Sequence, residues 1–460
     1  MKHYDAIIIG AGQAGTPLAK KLALSGKKTA IVEKRRVGGT CINDGCTPTK
    51  AMVASARAAH QARHASALGV ETGTVKVNLK AIKKRKDEIV ASFRESAQKG
   101  LEKTKNLDLI FGTASFSGKK ELTIQLQDGK EEKLTADLIF INTGEKTAVP
   151  DVEGLKEINF LTSTSIMDLE EVPDHLVILG GNYIGLEFGQ MFKRFGSKVT
   201  ILEKSERIMM KEDADVAACM TEILEGEDIT IATRAALRKV SERNGKISVE
   251  YDADGQSKKI TCSHFLVATG RSPQTPELRL ESAGVSTDKK GYIIVNKKLE
   301  TNVNGIYALG DVKGGPAFTH IAYNDYTIVY RNLIEHTKYT TDDRPVPYCM
   351  FTDPQLGRIG LSEAEAKAQN LDYKVAILPM SNVARGIETG ETLGMMKAIV
   401  DVKTKKIIGA AILAAEGGEV VSVLEMAIEG GITYDQIRYC VFAHPTYSEY
   451  LNNLFMQIEE

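Results

Sequence analysis

Cys41 and Cys46 stand five positions apart in the stretch Gly38-Gly39-Thr40-Cys41-Ile42-Asn43-Asp44-Gly45-Cys46-Thr47-Pro48-Thr49-Lys50. Two thiols at such spacing can store an electron pair by closing and opening a disulfide. In an undistorted α-helix, positions i and i+5 lie about 8.6 Å apart. A disulfide needs its Cα atoms within roughly 7 Å. The pair can therefore bridge only across a broken or overwound turn. Asn43-Asp44-Gly45 supplies turn chemistry between the two cysteines. The small polar residues that follow can open a helix at Cys46, and a helix N-terminus stabilises a thiolate. A second reactive group lies near the other end, in Phe442-Ala443-His444-Pro445-Thr446-Tyr447-Ser448-Glu449. A histidine oriented by a carboxylate is a general acid–base pair. Pro445 suits the first turn of a helix, which puts His444 just outside it.

These groups need a frame, and the chain supplies two dinucleotide-binding units. Tyr4–Ile9 reads as a buried strand, followed at once by Gly10-Ala11-Gly12-Gln13-Ala14-Gly15. A helical pattern through Leu18, Ala19, Leu22 and Ala23 follows, then a second strand, Lys28–Val32, ending in Glu33. Gly10 permits a tight turn, Gly12 a close approach to a pyrophosphate, and Gly15 close helix–strand packing. The helix N-terminus faces the phosphates, and Glu33 is placed to hold ribose hydroxyls. The arrangement recurs as His175–Leu179, Gly180-Gly181-Asn182-Tyr183-Ile184-Gly185-Leu186-Glu187, a helix, and Lys198–Leu202 ending in Glu203. Here Asn182 replaces the second glycine. Its side chain crowds the pyrophosphate approach, so a functional but differently tuned site is expected. Asparagine tolerates left-handed backbone, so the turn itself is expected to survive. An acid at 203 accepts from a ribose 2′-hydroxyl and repels a 2′-phosphate, which favours NAD over NADP. Lys204 and Arg207 keep NADP open.

The cysteine segment resembles the redox-active disulfide of the flavin-dependent pyridine nucleotide-disulfide oxidoreductases, among them dihydrolipoamide dehydrogenase, glutathione reductase and mercuric reductase. The family pattern is Gly-Gly-Thr-Cys, four residues, Cys, any residue, Pro, Ser or Thr, Lys, and every fixed position is filled here. The resemblance implies an α/β fold with two Rossmann-like dinucleotide-binding domains, for FAD and NAD(P), and a C-terminal α+β dimerisation domain. It implies that FAD occupies the first glycine turn, with Gly10, Gly12, Gly15, Glu33, Gly39 and Thr40 around it. Gly305-Ile306-Tyr307-Ala308-Leu309-Gly310-Asp311 resembles the second FAD motif, in which the aspartate meets the ribityl chain. Asn142-Thr143-Gly144 and Ala268-Thr269-Gly270-Arg271 resemble the two domain-crossing turns, the first modified from the usual Ala-Thr-Gly. The nucleotide side is implied to use Gly180, Tyr183, Ile184, Gly185 and Glu203, with Tyr183 covering the flavin until the nicotinamide arrives. By the same resemblance Cys41 is the interchange thiol that meets substrate. Cys46 lies against the flavin and gives a thiolate-to-flavin charge-transfer state. Lys50 reaches the flavin and is partnered by Glu187. His444 and Glu449 act on the interchange cysteine of the other subunit of an obligate homodimer.

The resemblance covers essentially the whole chain. It implies an FAD-binding segment at 1–148, an NAD(P)-binding domain at 149–271, a second FAD-binding or central segment at 272–343, and a dimerisation domain at 344–460. Phe351-Thr352-Asp353-Pro354, and Arg385 with Thr389-Gly390, resemble parts of that last domain. The net charge of −1 over 460 residues gives no electrostatic case for nucleic acid or an anionic membrane. The basic run Lys83-Lys84-Arg85-Lys86 belongs to a long polar helical stretch, roughly 76–105, and reads as a solvated face. No apolar run reaches the ~18 residues of a membrane span. The chain enters a strand within a few residues of Met1, so no leader and no extra N-terminal domain are expected, and the compartment is cytoplasmic. Cys219, Cys262, Cys349 and Cys440 are scattered, without metal spacing, and read as core thiols.

The expected acceptor is a small-molecule disulfide or dithiol, as in dihydrolipoamide dehydrogenase. The alternative is a thiol-bound metal ion, Hg or Cu, as in mercuric reductase. The tail Leu451–Glu460 lacks the paired cysteines of mercuric reductases, whereas Asp44, Thr47 and Thr49 give the redox motif a mercuric-reductase-like look. Two further readings stand: an NADH oxidase or quinone reductase with vestigial cysteines, and a non-catalytic redox sensor.

Overall fold

The computed structural model describes residues 1–342 and 344–458. Asp343, the expected end of the central segment, and Glu459 and Glu460, the end of the cysteine-free tail, lie outside the described residues. The chain divides into two compact units. Residues 1–51, 84–148 and 270–344 form the first, and residues 52–83, 149–269 and 345–460 the second. Residues 52–83, read above as part of the FAD-binding segment, group with the second unit. Met52, Ala56 and Leu79 bury into its apolar cluster beside Leu186, Met191 and Met350.

The first unit is built on parallel strands. Lys2–Ile9 pairs with Thr29–Glu33 on one side and Glu131–Ile141 on the other, and Ile306–Ala308 extends the layer. Leu107–Gly118 runs parallel to Thr29–Glu33, then folds into an antiparallel meander with Glu121–Leu126 and Glu131–Ile141. Strands covered on both faces read as continuous apolar runs, and Ala6-Ile7-Ile8-Ile9 is one. Ala6 and Ile8 face Leu18, Ala19 and Leu22 of the helix Gly15–Leu24, while Ile7 and Ile9 face Leu278, Leu280 and Ile293. This alternation fixes the register, and with it the height at which the Gly10–Gly15 turn leaves the sheet.

The second unit repeats the idea. His264–Val267, His175–Leu179, Lys198–Leu202 and Thr230–Ala232 form a parallel sheet in that order. An antiparallel ribbon, Ala236–Arg243, Lys246–Ala253 and Gln256–Cys262, accompanies it. The C-terminal part is a five-stranded antiparallel sheet with Gly417–Glu429 and Tyr450–Met456 packed on it. Within this unit, buried charges join the parallel-sheet part to the C-terminal part. Arg194 meets Glu227 at 2.7 Å and Asp353 at 2.5 Å. Arg358 meets Glu212 at 2.8 Å. Lys397, 1% exposed, meets Asp213 at 3.1 Å, Asp215 at 2.8 Å and Glu363 at 2.7 Å.

Removing one member of a buried ion cluster leaves the others uncompensated. Lys397→Ala is therefore expected to destabilise the protein by about 3–5 kcal/mol, read as a fall in the urea midpoint. A midpoint within error of wild type would refute a structural role for the cluster.

Candidate active site

The cysteine segment hangs on the first glycine turn. Gly38 N–H donates to the Ala11 carbonyl at 2.8 Å, and Gln13 Nε2 donates to the Gly38 carbonyl at 3.0 Å. Gly39 has φ +60°, and a Cβ there would lie 2.7 Å from Gly12 Cα. Only glycine permits that approach. The short helix Gly39–Asn43 carries Thr40 and Cys41, and ends at Asp44. The helix Cys46–His64 starts afresh at Cys46. The chain therefore breaks at Asp44-Gly45, as the disulfide argument requires. Arg35 holds Asp44 at 2.5 Å, and Asn43 Nδ2 donates to the Val37 and Gly39 carbonyls.

The two thiols are brought together. A hydrogen bond to Cys46, and after it burial, push the Cys41 thiol well above its ordinary pKa, with Lys50 pulling the other way. Cys41 is half-buried, whereas Cys46 is exposed at its helix N-terminus. Cys46 Sγ lies 3.5 Å from Thr319 Oγ1, at the start of the helix Thr319–Ile334. Thr319 was not found from sequence: it stands 273 positions from Cys46, with no local signal.

The two nucleotide turns can be compared within one chain. Gly10 has φ +104° and Gly180 φ +116°, and a Cβ would meet the Asn142 and Ala268 carbonyl oxygens at 2.4 and 2.5 Å respectively. Gly15 and Gly185 close on the Gly10 and Gly180 carbonyls, with would-be contacts of 2.1 and 2.0 Å. Glu33 accepts from Ala11 N–H, and Glu203 from Gly181 N–H, both at 2.8 Å. Each acid is thus fixed at the turn, where ribose hydroxyls would reach it.

The turns differ at one place. No side chain caps the helix Gly15–Leu24. The helix Tyr183–Phe195 is capped by Asn182, whose Oδ1 accepts from Tyr183 N–H at 3.0 Å. Asn182 is not left-handed as its residue type allowed. It is extended at φ −108°, and Gly180 takes the positive φ. Tyr183 and Ile184 are half-buried, and Glu187, 6% exposed, accepts from Phe351 N–H at 2.8 Å. Lys50 belongs to the first unit and Glu187 to the second.

The first unit fits a flavin dinucleotide. Besides the uncapped helix and the glycine cradle, Thr143 Oγ1 is buried without a hydrogen-bond partner among the described residues. Thr143 is followed by Gly144 at φ +67°, and Gly270, at the second crossing turn, has φ +124°. Gly310 N–H donates to the fully buried Asp325 at 2.8 Å, and Asp325 meets Arg344 at 2.6 Å and Lys313 at 3.4 Å. Burial first, and Glu145 second, push the Asp311 carboxyl up to about 6. Glu145 is itself held by Arg271 at 3.2 Å and by the Tyr292 hydroxyl at 2.6 Å. Asp325, Glu145 and Tyr292 escaped the sequence reading because each acts through a partner distant in the chain.

At the far end, His444 Nδ1 lies 3.0 Å from both Glu449 oxygens. The dyad is formed, but by a different route from that expected. Pro445 does not start a helix. Thr446 Oγ1 donates to the Ala443 carbonyl and accepts from Glu449 N–H, making a turn, and the helix begins at Tyr450. Glu449 is half-buried and His444 exposed. Cys262 is buried and Cys219 and Cys349 are half-buried, but Cys440 is exposed, so it is not a core thiol. No helix among the described residues is long and apolar enough to cross a membrane.

Comparison with known proteins agrees with this geometry. A family described as pyridine nucleotide-disulphide oxidoreductase matches residues 4–325. The dimerisation domain of the same family matches residues 346–455. A probable pyridine nucleotide-disulfide oxidoreductase, RclA of Escherichia coli, is 37% identical over the full length of both chains. A mercuric reductase of Staphylococcus aureus is 36% identical over 94% of this chain and 78% of its own. A dihydrolipoyl dehydrogenase of Geobacillus stearothermophilus is 31% identical over 97% of this chain and 94% of its own. A solved Cu(II) complex of the HOCl-induced flavoprotein disulfide reductase RclA superposes over the whole of both chains, with TM-score 0.92 and 36% identity.

Two expectations follow. Because the folded carboxyl of Asp311 titrates near 6 instead of 3.8, its ionised form destabilises the flavin-free protein above that range and costs nothing below it. Asp311→Asn should raise the flavin-free melting midpoint at pH 8, with a gain that shrinks toward pH 4.5; a pH-independent gain would contradict this. Asn182→Gly frees the amide that the side chain now occupies, and asparagine-to-glycine at a cap costs only a few tenths of a kcal/mol. It should lower KM for NADH with kcat little changed, and an unchanged or raised KM would refute competition at that amide.

Proposed function

The chain belongs to the pyridine nucleotide-disulphide oxidoreductases, as an NAD(P)H-dependent flavoprotein, and from that premise we propose that it reduces a disulfide acceptor through the Cys41–Cys46 pair. One observation supports this reading: Gly39, two residues before Cys41, packs its backbone directly on Gly12 of the first glycine turn. A flavin held there would supply hydride acceptance from the nicotinamide and two-electron transfer to sulfur. Gly10, Gly12, Gly15, Glu33, Gly39, Thr40, Thr143, Gly144, Gly270, Gly310 and Asp311 hold it, and Gly180, Tyr183, Ile184, Gly185 and Glu203 hold the nucleotide. Glu203 favours NADH. Lys50 serves the flavin side. The working assembly is a homodimer in the cytoplasm, where scattered thiols stay reduced.

The protein's own residues then divide the work. Cys46, at its helix N-terminus, holds the thiolate, with Thr319 Oγ1 beside it. The hydrogen bond to Cys46, and after it burial, raise the Cys41 thiol, so a base assists its attack. His444 of the partner subunit, oriented by Glu449, takes that proton. Cys41 sulfur attacks the acceptor disulfide, forming a mixed disulfide and expelling one thiolate, which receives the proton from the imidazolium. Cys46 then attacks Cys41 sulfur and expels the second thiolate, closing the Cys41–Cys46 bond.

A second reading is reduction of a thiophilic metal ion as substrate. It is favoured by the mercuric reductases among the relatives and by the Cu(II) complex of a full-length one. Anaerobic NADH consumption separates the two, with lipoamide in one assay and Cu(II) or Hg(II) with excess thiol in the other. Brisk lipoamide turnover supports the first reading; slow lipoamide with fast metal-dependent oxidation establishes the second. In the first case His444→Ala should lower kcat by about 10²–10⁴. Cys46→Ser should abolish the long-wavelength absorbance that a thiolate lends to an adjacent flavin. Full activity in Cys41→Ser would leave an NADH oxidase or quinone reductase.

A further inference from the structure

Asn142 stands where the second crossing turn of the same chain has Ala268. The two turns are otherwise built alike: each accepts a tight glycine approach on its carbonyl, at 2.4 Å for Gly10 and 2.5 Å for Gly180. The second turn shows that a methyl suffices to make this backbone. The carboxamide of Asn142 therefore serves something the second unit lacks.

Its surroundings say what that is. Asn142 is 8% exposed, and its Nδ2 donates to the Gly10 carbonyl at 3.2 Å. A Cβ at Gly12 or Gly15 would lie 3.1 or 2.9 Å from the same nitrogen. On the other side, a Cβ at Gly310 would lie 3.0 Å from Asn142 Oδ1. One amide thus touches the glycine turn at one end and the Gly310–Asp311 turn at the other. Gly310 is held from behind by Asp325, which takes its N–H at 2.8 Å.

We propose that Asn142 is a positioning residue for the flavin, locking the Gly10–Gly15 turn to the Gly310–Asp311 turn so that both present their backbones to one cofactor in a fixed spacing. The inference rests on the first unit being the flavin site. An alanine at 142 keeps the fold, as the Ala268 turn shows, but lets the two turns move apart. The effect belongs to cofactor retention and not to the NADH turn.

The test is reconstitution of flavin-free protein with FAD, followed by flavin fluorescence, for wild type, Asn142→Ala and Asn142→Asp. Asn142→Ala is expected to raise the FAD dissociation constant about tenfold, the worth of one buried hydrogen bond and its packing. Asn142→Asp keeps the shape, loses the donor, and is expected to bind at least as weakly. The flavin-free melting midpoint of Asn142→Ala should fall by no more than the worth of one hydrogen bond, because the Gly10 contact is present without the cofactor, and KM for NADH in the flavin-loaded fraction should not move. Wild-type affinity in either variant would overturn the inference, as would a fall in the flavin-free midpoint without loss of affinity. A wild-type protein that took up no FAD would sink the functional reading itself.

Discussion

The chemistry of this protein depends on two glycines that touch. Gly12 and Gly39 approach so closely that a single methyl on Gly39 would come 2.7 Å from the Gly12 backbone. That contact, with the Gly38–Ala11 hydrogen bond at 2.8 Å, fixes where the cysteine segment sits relative to the first helix N-terminus. A dinucleotide bound at that terminus has a set length. The position of its reactive ring is therefore tied to the same turn that positions Cys41 and Cys46. Side chains tune the sulfur chemistry, but backbone approach places it. The same logic explains the break at Asp44-Gly45. A continuous helix would hold the thiols too far apart, and the restart at Cys46 gives one of them a helix N-terminus.

The two nucleotide turns are near copies that have been given different tasks. Both use a left-handed first glycine, a third glycine tight against the first, and a strand-end acid that takes a turn amide. The first leaves its helix terminus uncapped and adds a second wall at Gly310–Asp311. The second caps its helix with Asn182. A ligand meeting the second turn must compete with a side chain already bound there, whereas no side chain caps the helix at the first turn. That contrast suits a resident cofactor in one unit and an exchanging cosubstrate in the other.

Much of this frame was legible in the sequence, for identifiable reasons. Apolar runs, glycine spacing and terminal acids are local, so the strands Lys2–Ile9 and His175–Leu179, both glycine turns and the restart at Cys46 could be read directly. The failures are non-local. Thr319 meets Cys46 across 273 positions. Pro445 carries a helix-start signal, but the hydroxyl of Thr446 binds both Ala443 and Glu449 and makes a turn instead. Asn182 was legible as a departure from the glycine pattern, but its conformation and its capping role were not.

The turn at Thr446 matters under the proposed mechanism, in which Cys41 needs a base before it can attack. The hydrogen bond to Cys46 and partial burial both hold its proton in place. A base must come to it, and the base must arrive in one geometry. His444 is fixed by two 3.0 Å contacts to Glu449, and Glu449 N–H donates to Thr446 Oγ1 at 3.2 Å. Arg194 with Asp353, and Lys397 with Asp213 and Asp215, pair charges between the C-terminal layer and the parallel-sheet part of its unit. Well-packed apolar residues in their place could be equally stable. An apolar seam, however, tolerates small slides that charge pairs with fixed hydrogen-bond directions do not. A base that must meet a sulfur within hydrogen-bond distance would gain more from that registry than from added stability.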